Sequence, residues 1–426
     1  MSAAKTRSGA TRQQVDVVLD ADLLTTPQRV GTLFHTSAHG TSVFSFRYDP
    51  DWLKRPDAFE IDPELSLHEG ESYPGTASGA FRIFLDSAPD RWGRALLDRR
   101  EILRARDEKR SPRSQTEWDY LLGVHDGCRL GALRFRRDDA APFLDDDPHR
   151  AAPPLSTLRD LGAAAAALED PDAPEHPEFR TWLTQLLIPG SSLGGARPKA
   201  NFTDVDGSLW IAKFPSRNDR RDVGAWEMVL HTLARKVGIN VPAARLLDLE
   251  SEHRTYACQR FDRLPGDRRR FFVSAMTLLG KNDGDGGSYL ELAEFLSTRG
   301  SATHRKQDLR ELWMRVAFNL LVSNTDDHLR NHGFILEADG WRLAPAYDVN
   351  PNVEKTTHTL AIDERDASPD IQLALKTAEY YLLKPDEAHR LLESIAEAVK
   401  RWSAVAAKLR IPRAEIEAMR GAFGEA

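Results

Sequence analysis

The sequence predicts an α+β fold in which a strand-rich lobe precedes a helical lobe, behind a further α+β unit at the N-terminus. Three observations predict it. Apolar residues alternate with a period of two near the N-terminus and again between about 190 and 265. From about residue 287 onward the apolar period lengthens to three to four. Between these units, residues 138–156 (DDAAPFLDDDPHRAAPPLS) form an acidic, proline-rich break. At 426 residues the chain exceeds one ordinary domain, so separate packed units are expected.

Taken in order, residues 1–14 read as a polar tail without the apolar core of a secretory leader. Residues 15–137 form the N-terminal α+β unit. In it Val15, Val17 and Leu19 alternate, as do Phe44, Phe46 and Tyr48, around a TSAHGT turn. Residues 86–105 change to a helical pattern with Asp86 or Ser87 as cap and Pro89 in the first turn. After the linker at 138–156, residues 157–265 carry an Ala-rich helix, then strands around one good helix. Residues 266–426 are dominated by helices. There Leu309, Leu312, Trp313, Val316, Ala317, Leu320 and Leu321 mark one buried helix face.

Composition narrows the function. The net charge of -7 and the pI near 6.0 argue against a broad DNA-binding surface, which needs clustered positive charge. Two cysteines, Cys128 and Cys258, give neither a disulfide framework nor a zinc site. No apolar run approaches the ~20 residues of a membrane span. With a mean hydropathy of -0.48, a cytoplasmic protein without membrane contact is expected.

The most informative segment is SNTDDHLRNHGFIL, 323–336, directly behind the buried helix. Asp326 and Asn331 stand in the frame D-x-x-x-x-N. Protein kinases use that spacing to set a carboxylate against an acceptor hydroxyl and an amide against a metal ion. An isolated match is near-random. Here it is followed by a hairpin whose second strand delivers Asp348 in WRLAPAYDVNP, where a carboxylate can hold a metal on phosphates.

Upstream, IPGSSLGGARPKANF (188–202) is a small-residue loop. Gly194 and Gly195 let backbone approach phosphate oxygens, Ala196 beside them is counted with the same ATP-binding loop, and Arg197 and Lys199 add positive charge. In DGSLWIAKFPS, Lys213 is enclosed by apolar neighbours, which is costly without an anionic partner. Phosphates and Glu227, in the first turns of the next helix, would supply one. The competing reading is an edge-strand lysine that reaches solvent. Backbone groups from Gln259 to Phe261 occupy the position of an adenine-binding hinge.

These pieces together resemble the HipA family. The resemblance rests on SSLGGARPKA, WIAKFP, GINVP, QRFDR, NTDDHLRNHGF and LAPAYDV, with DYLLGVHDGCRLGALRF in the first domain, and covers residues 15 to 400. It implies a protein-kinase-like bilobal fold with an added N-terminal domain, the cofactors ATP and Mg²⁺, and transfer of phosphate to a protein serine. Known family targets include aminoacyl-tRNA synthetases, whose modification halts translation. By position, the resemblance makes Asp326 the catalytic base, assigns Asn331 and Asp348 to metal, and sets Lys213 on the phosphates. It puts His328 and Tyr347 in the nucleotide site. Ser192, or its neighbour Ser191, matches the family's inhibitory autophosphorylation position. The partner implied is a HipB-like helix-turn-helix antitoxin, with operator DNA contacted through it. The chain lacks H-R-D, D-F-G and a full G-x-G-x-x-G loop, as HipA-like chains do. LDSAPDRWGRALLDRR resembles one branch of the family, which leaves target and antitoxin arrangement open. Two other readings stand beside this one: a small-molecule kinase, and a nucleotide-binding co-repressor without transfer activity.

Overall fold

The computed structural model describes residues 11–38, 41–147, 152–187, 195 and 197–423. The N-terminal unit is built on strands β1 (Thr11–Leu19), β2 (Gln28–Ala38) and β3 (Thr41–Tyr48), followed by helix α1 (Pro50–Leu53) and strand β4 (Glu71–Ser72). Helices α2 (Arg82–Asp86), α3 (Arg91–Asp107) and α4 (Glu117–Leu122) and strand β5 (Leu133–Arg136) complete it. The sheet runs β4-β3-β2-β1-β5 with antiparallel neighbours. Val15, Val17, Leu19, Phe44 and Phe46 are buried on it, as the alternation predicts.

Two local expectations change. Strand β1 begins at Thr11, inside the segment read as a tail. Residues 11–14 are exposed, so no hydrophobic pattern marks them, and they are held by backbone pairing to Phe34–Ser37. The helix cap is Asp90, not Asp86 or Ser87: the Gly93 N–H donates to Asp90 Oδ1 at 2.9 Å. Pro89 disfavours helical backbone at the residue before it, so the chain leaves α2 and re-enters a helix only after Asp90. Asp86 instead accepts from the N–H and hydroxyl of Ser274, both at 2.8 Å.

The central unit contains α5 (Leu158–Leu168), α6 (Phe179–Leu187), β6 (Lys199–Thr203), β7 (Leu209–Lys213), α7 (Val223–Lys236), β8 (Ala244–Leu247) and β9 (Thr255–Gln259). Its antiparallel sheet has the order β6-β7-β9-β8, so β7 is interior. Helices α5 and α6 cover one face of this sheet. Their Leu161, Ala165 and Leu183 join Phe202, Trp210 and Phe214 in a core that Trp92 of α3 also enters.

The last unit begins with the hairpin β10 (Arg263–Leu264) and β11 (Arg268–Arg269), then β12 (Phe272–Ser274). Helices α8 (Ala275–Leu278), α9 (Tyr289–Arg299) and α10 (Arg305–Leu321) lead to the hairpin β13 (Gly333–Glu337) and β14 (Gly340–Leu343). Helices α11 (Ile371–Lys376), α12 (Pro385–Val399), α13 (Trp402–Lys408) and α14 (Arg413–Ala418) close the chain. Leu309, Leu312, Trp313, Val316 and Ala317 of α10 are fully buried, and they share a core with Trp226, Leu230 and Leu233 of α7. Helix α7 thus ties the strand-rich lobe to the helical one. No helix of the described residues is long and apolar enough to cross a membrane. The whole is an α+β, protein-kinase-like arrangement with an added N-terminal domain.

Candidate functional site

Strand β7 ends on Lys213, whose Nζ donates to Glu227 Oε1 at 2.6 Å and to Asp348 Oδ1 at 2.8 Å. The lysine is not an edge residue reaching solvent: its side chain is 15% exposed and its strand is paired on both sides. Glu227 comes from the first turns of α7, which lays its Glu227 face over the sheet. Asp348 follows β14 with φ 57°, a left-handed backbone that aspartate tolerates better than most residues. Two carboxylates share one ammonium here. Burial opposes the charge on Lys213, but Asp348 and Glu227 outweigh it and push its pKa up. Burial raises Glu227. For Asp348 burial also acts upward, yet Lys213 prevails and holds the carboxyl low. A proton entering this cluster therefore goes to Glu227, the deeper of the two.

The loop behind α10 is held by Asp327 rather than Asp326. Asp327 Oδ2 accepts from Tyr289 Oη at 2.5 Å and from Asn319 Nδ2 at 2.9 Å, and lies 2.7 Å from His332 Nε2. Burial would raise Asp327, but His332 and these bonds hold it low. With the loop so anchored, the Asp326 side chain projects outward, 75% exposed, and meets Lys355 Nζ at 3.4 Å. The Asp326 carbonyl accepts from Asn331 Nδ2 at 3.5 Å. His328 is half-buried, and its Nδ1 is a buried atom without a hydrogen-bond partner among the described residues.

One pocket gathers Lys213, Glu227, Gln259, Phe261, Asn331, Tyr347 and Asp348. Asp326 and His328 do not line it. Phe261 stacks on Tyr347 with ring centroids 5.5 Å apart, and Tyr347 Oη donates to the Arg330 carbonyl at 2.7 Å. The hinge expectation is narrowed. The N–H groups of Gln259 and Arg260 already bond to Ala243 and Leu209 carbonyls, at 2.8 and 2.9 Å, so neither is a donor for a base. Gly195 has φ 93°, which favours glycine. Ser191, Ser192, Gly194 and Ala196 lie outside the described residues.

Several site residues had no signal of their own in the sequence. Leu130 of the N-terminal domain, Tyr256 and Cys258 line the pocket. Asp262, just past β9, is clamped between Arg260 Nη2 at 2.6 Å and Arg263 Nη1 at 2.7 Å, and accepts from the Gly131 N–H at 2.8 Å. The turn that carries Leu130 is thereby fixed against the segment that follows β9. The doubled acid in NTDDH was the one available hint of Asp327.

Comparison with known proteins follows the same outline. Residues 191–403 match the HipA-like C-terminal domain, and residues 21–121 match the HipA N-terminal domain. A putative kinase, Y4dM, of Sinorhizobium fredii is 26% identical over 248 residues, covering 54% of this chain and 56% of that protein. The serine/threonine-protein kinase toxin HipA of Shewanella oneidensis is 26% identical over 267 residues, covering 54% of this chain and 59% of that protein. The chain thus spans a little over half the length of these curated relatives. Among solved structures, HipA of Shewanella oneidensis MR-1, in complex with HipB and its operator DNA, superposes with a TM-score of 0.64 at 18% identity. That superposition covers 96% of this chain and 95% of that one, so the likeness extends over the whole fold.

Proposed function

Since the chain belongs to the HipA family, we propose that it is an ATP-dependent serine/threonine protein kinase of toxin type, acting on a protein hydroxyl. The observation that carries this reading is the bridge from Lys213 to Glu227 and Asp348 inside a pocket that also holds Asn331. Such an arrangement suits phosphoryl transfer, where catalysis is mainly positioning and charge stabilisation.

In this reading Lys213, oriented by Glu227, meets the phosphates of ATP. Phe261 and Tyr347 form the apolar wall for the base, and His328 lies toward the phosphates. Asp326 accepts the proton of the acceptor hydroxyl as that oxygen attacks the γ-phosphorus, and ADP leaves. Its exposure suits a residue that must reach an incoming protein. Asp348 and the amide oxygen of Asn331 are hard oxygen donors of the kind magnesium takes. Beside them Asn350 Oδ1 is a buried acceptor without a partner among the described residues. Among the described residues no group of three or more His, Cys, Asp or Glu side chains is placed to hold a metal. Magnesium on a nucleotide needs only one or two carboxylates besides phosphate and water. When bound, it neutralises charge on the phosphate oxygens.

A phosphate on Ser192, or on Ser191, would add about two negative charges to the loop and oppose ATP, giving self-inhibition. The partners proposed are a HipB-like helix-turn-helix antitoxin, operator DNA through that antitoxin, and a protein substrate of the aminoacyl-tRNA synthetase kind.

Phosphoproteomics of cells expressing wild type against Asp326→Ala tests the reading. Serine phosphopeptides that appear only with wild type are expected. Label confined to small molecules would favour a small-molecule kinase. Toxicity that survives Asp326→Ala with no new phosphopeptide would favour the co-repressor.

A further inference from the structure

We propose that the N-terminal domain supplies a positioning residue to the nucleotide site: Asp90 holds Lys199, and Lys199 is a second cation for the phosphates. The inference deepens the ATP reading and rests on it.

Lys199 opens β6 and stands directly opposite Lys213 in the β6–β7 register. Directly paired residues of neighbouring strands project to the same face, so both ammonium groups head into one pocket, which both line. Like charges so placed repel, and a buried lysine needs an anion. Asp90 provides it: Lys199 Nζ donates to Asp90 Oδ2 at 2.7 Å, with side chains 2% and 5% exposed. The other oxygen of Asp90 caps α3 through the Gly93 N–H at 2.9 Å. Trp92, in the first turn of α3, donates its indole N–H to the Lys199 carbonyl at 3.1 Å. One helix start of the N-terminal domain therefore grips both the backbone and the ammonium of Lys199. Lys199 Nζ also reaches the Gly195 carbonyl at 3.4 Å.

Lys199 thus faces the anion position from β6 as Lys213 does from β7. The nucleotide site is shared between two domains.

The alternative is that Asp90 and Lys199 are only a structural staple. Full-length wild type, Asp90→Asn, Asp90→Asn/Lys199→Met and Lys213→Met are titrated with Mg-ATP and with adenosine, and their melting temperatures are measured. The double variant removes both buried charges and leaves neither unpaired, so it should melt close to wild type. It should bind adenosine as wild type does and ATP at least about tenfold more weakly, the loss of a charge-assisted phosphate contact. Asp90→Asn alone should lower the ratio of ATP to adenosine affinity in the same direction. If the double variant binds ATP as tightly as wild type while Lys213→Met does not, the proposal is wrong and the pair is a staple. If wild type binds adenosine and ATP alike, or neither, the ATP reading falls and takes this proposal with it.

Discussion

Lys213 and Asp348, 135 positions apart, meet at 2.8 Å and join the strand-rich lobe to the loop behind β14. The same ammonium is 2.6 Å from Glu227, so one cation settles two acids from different elements, a buried Glu227 and a half-buried Asp348. Phosphates entering the pocket would take up part of that interaction, and removing the cation would leave two carboxylates facing each other.

Lys213→Met should therefore lower phosphate transfer by about 10²- to 10³-fold, the scale of losing a preorganised charge partner. It should also change the pH dependence of stability. Burial already raises Glu227 above the ordinary carboxylate range. A carboxyl raised in the folded state binds its proton more tightly there. Its stabilising effect is present at low pH and is lost as pH rises through the folded value. The variant's melting temperature should climb as pH falls from about 8 to about 5, more steeply than that of wild type. Parallel curves would show that Glu227 does not need Lys213.

The clamp at Asp262 has the opposite sign. Burial would raise Asp262, but Arg260 and Arg263 outweigh it and hold the carboxyl far below the ordinary range. Its stabilisation is present above the unfolded value near 4 and is lost only as pH falls below that. Asp262→Asn should cost about 3 kcal/mol, because two arginines lose a buried partner. Denaturation of both proteins from pH 8 to about 5 should show a constant difference. A difference that vanishes by pH 6 would contradict the account.

Asp327→Asn tests whether the loop is held from below. Tyr289, Asn319 and His332 lose their shared acceptor charge, and Asp326 loses its fixed position. Turnover should fall about 10- to 100-fold with little change in the KM for ATP, the pattern of lost positioning. A raised KM with unchanged turnover would place Asp327 in ATP binding instead.

Phe261→Ala removes one ring of the Phe261–Tyr347 stack. The KM for ATP should rise about tenfold while kcat stays within about twofold, the pattern of uniform binding loss. Steady-state kinetics decides it. An effect on kcat alone would move the base away from this wall.

Much of this was legible in the chain. Alternation at Val15, Val17 and Leu19 marked a strand, and the spacing from Leu309 to Leu320 marked α10. The order of Lys213, Glu227, Asp326, Asn331 and Asp348 pointed to a cluster, and the fold brings Lys213, Glu227, Asn331 and Asp348 into one pocket. What stayed hidden has a common cause. The exposed start of β1 is held by backbone pairing, which leaves no side-chain period. The Asp90–Lys199 and Asp262–Gly131 contacts join residues more than a hundred positions apart, through groups whose neighbours carry no pattern. Asp327 was overshadowed by Asp326, because only burial distinguishes the loop's anchor from its outward-facing partner.

The most direct test is a single-turnover assay of the purified chain with γ-labelled ATP and magnesium, with ATP binding measured on the same samples. Wild type should pass label to protein, its own or an added substrate. Asp326→Ala should bind ATP within about twofold of wild type and pass none, since removing the base spares the Lys213 cluster. Transfer by Asp326→Ala at the wild-type rate would contradict the assignment of the catalytic residue, and with it the central claim.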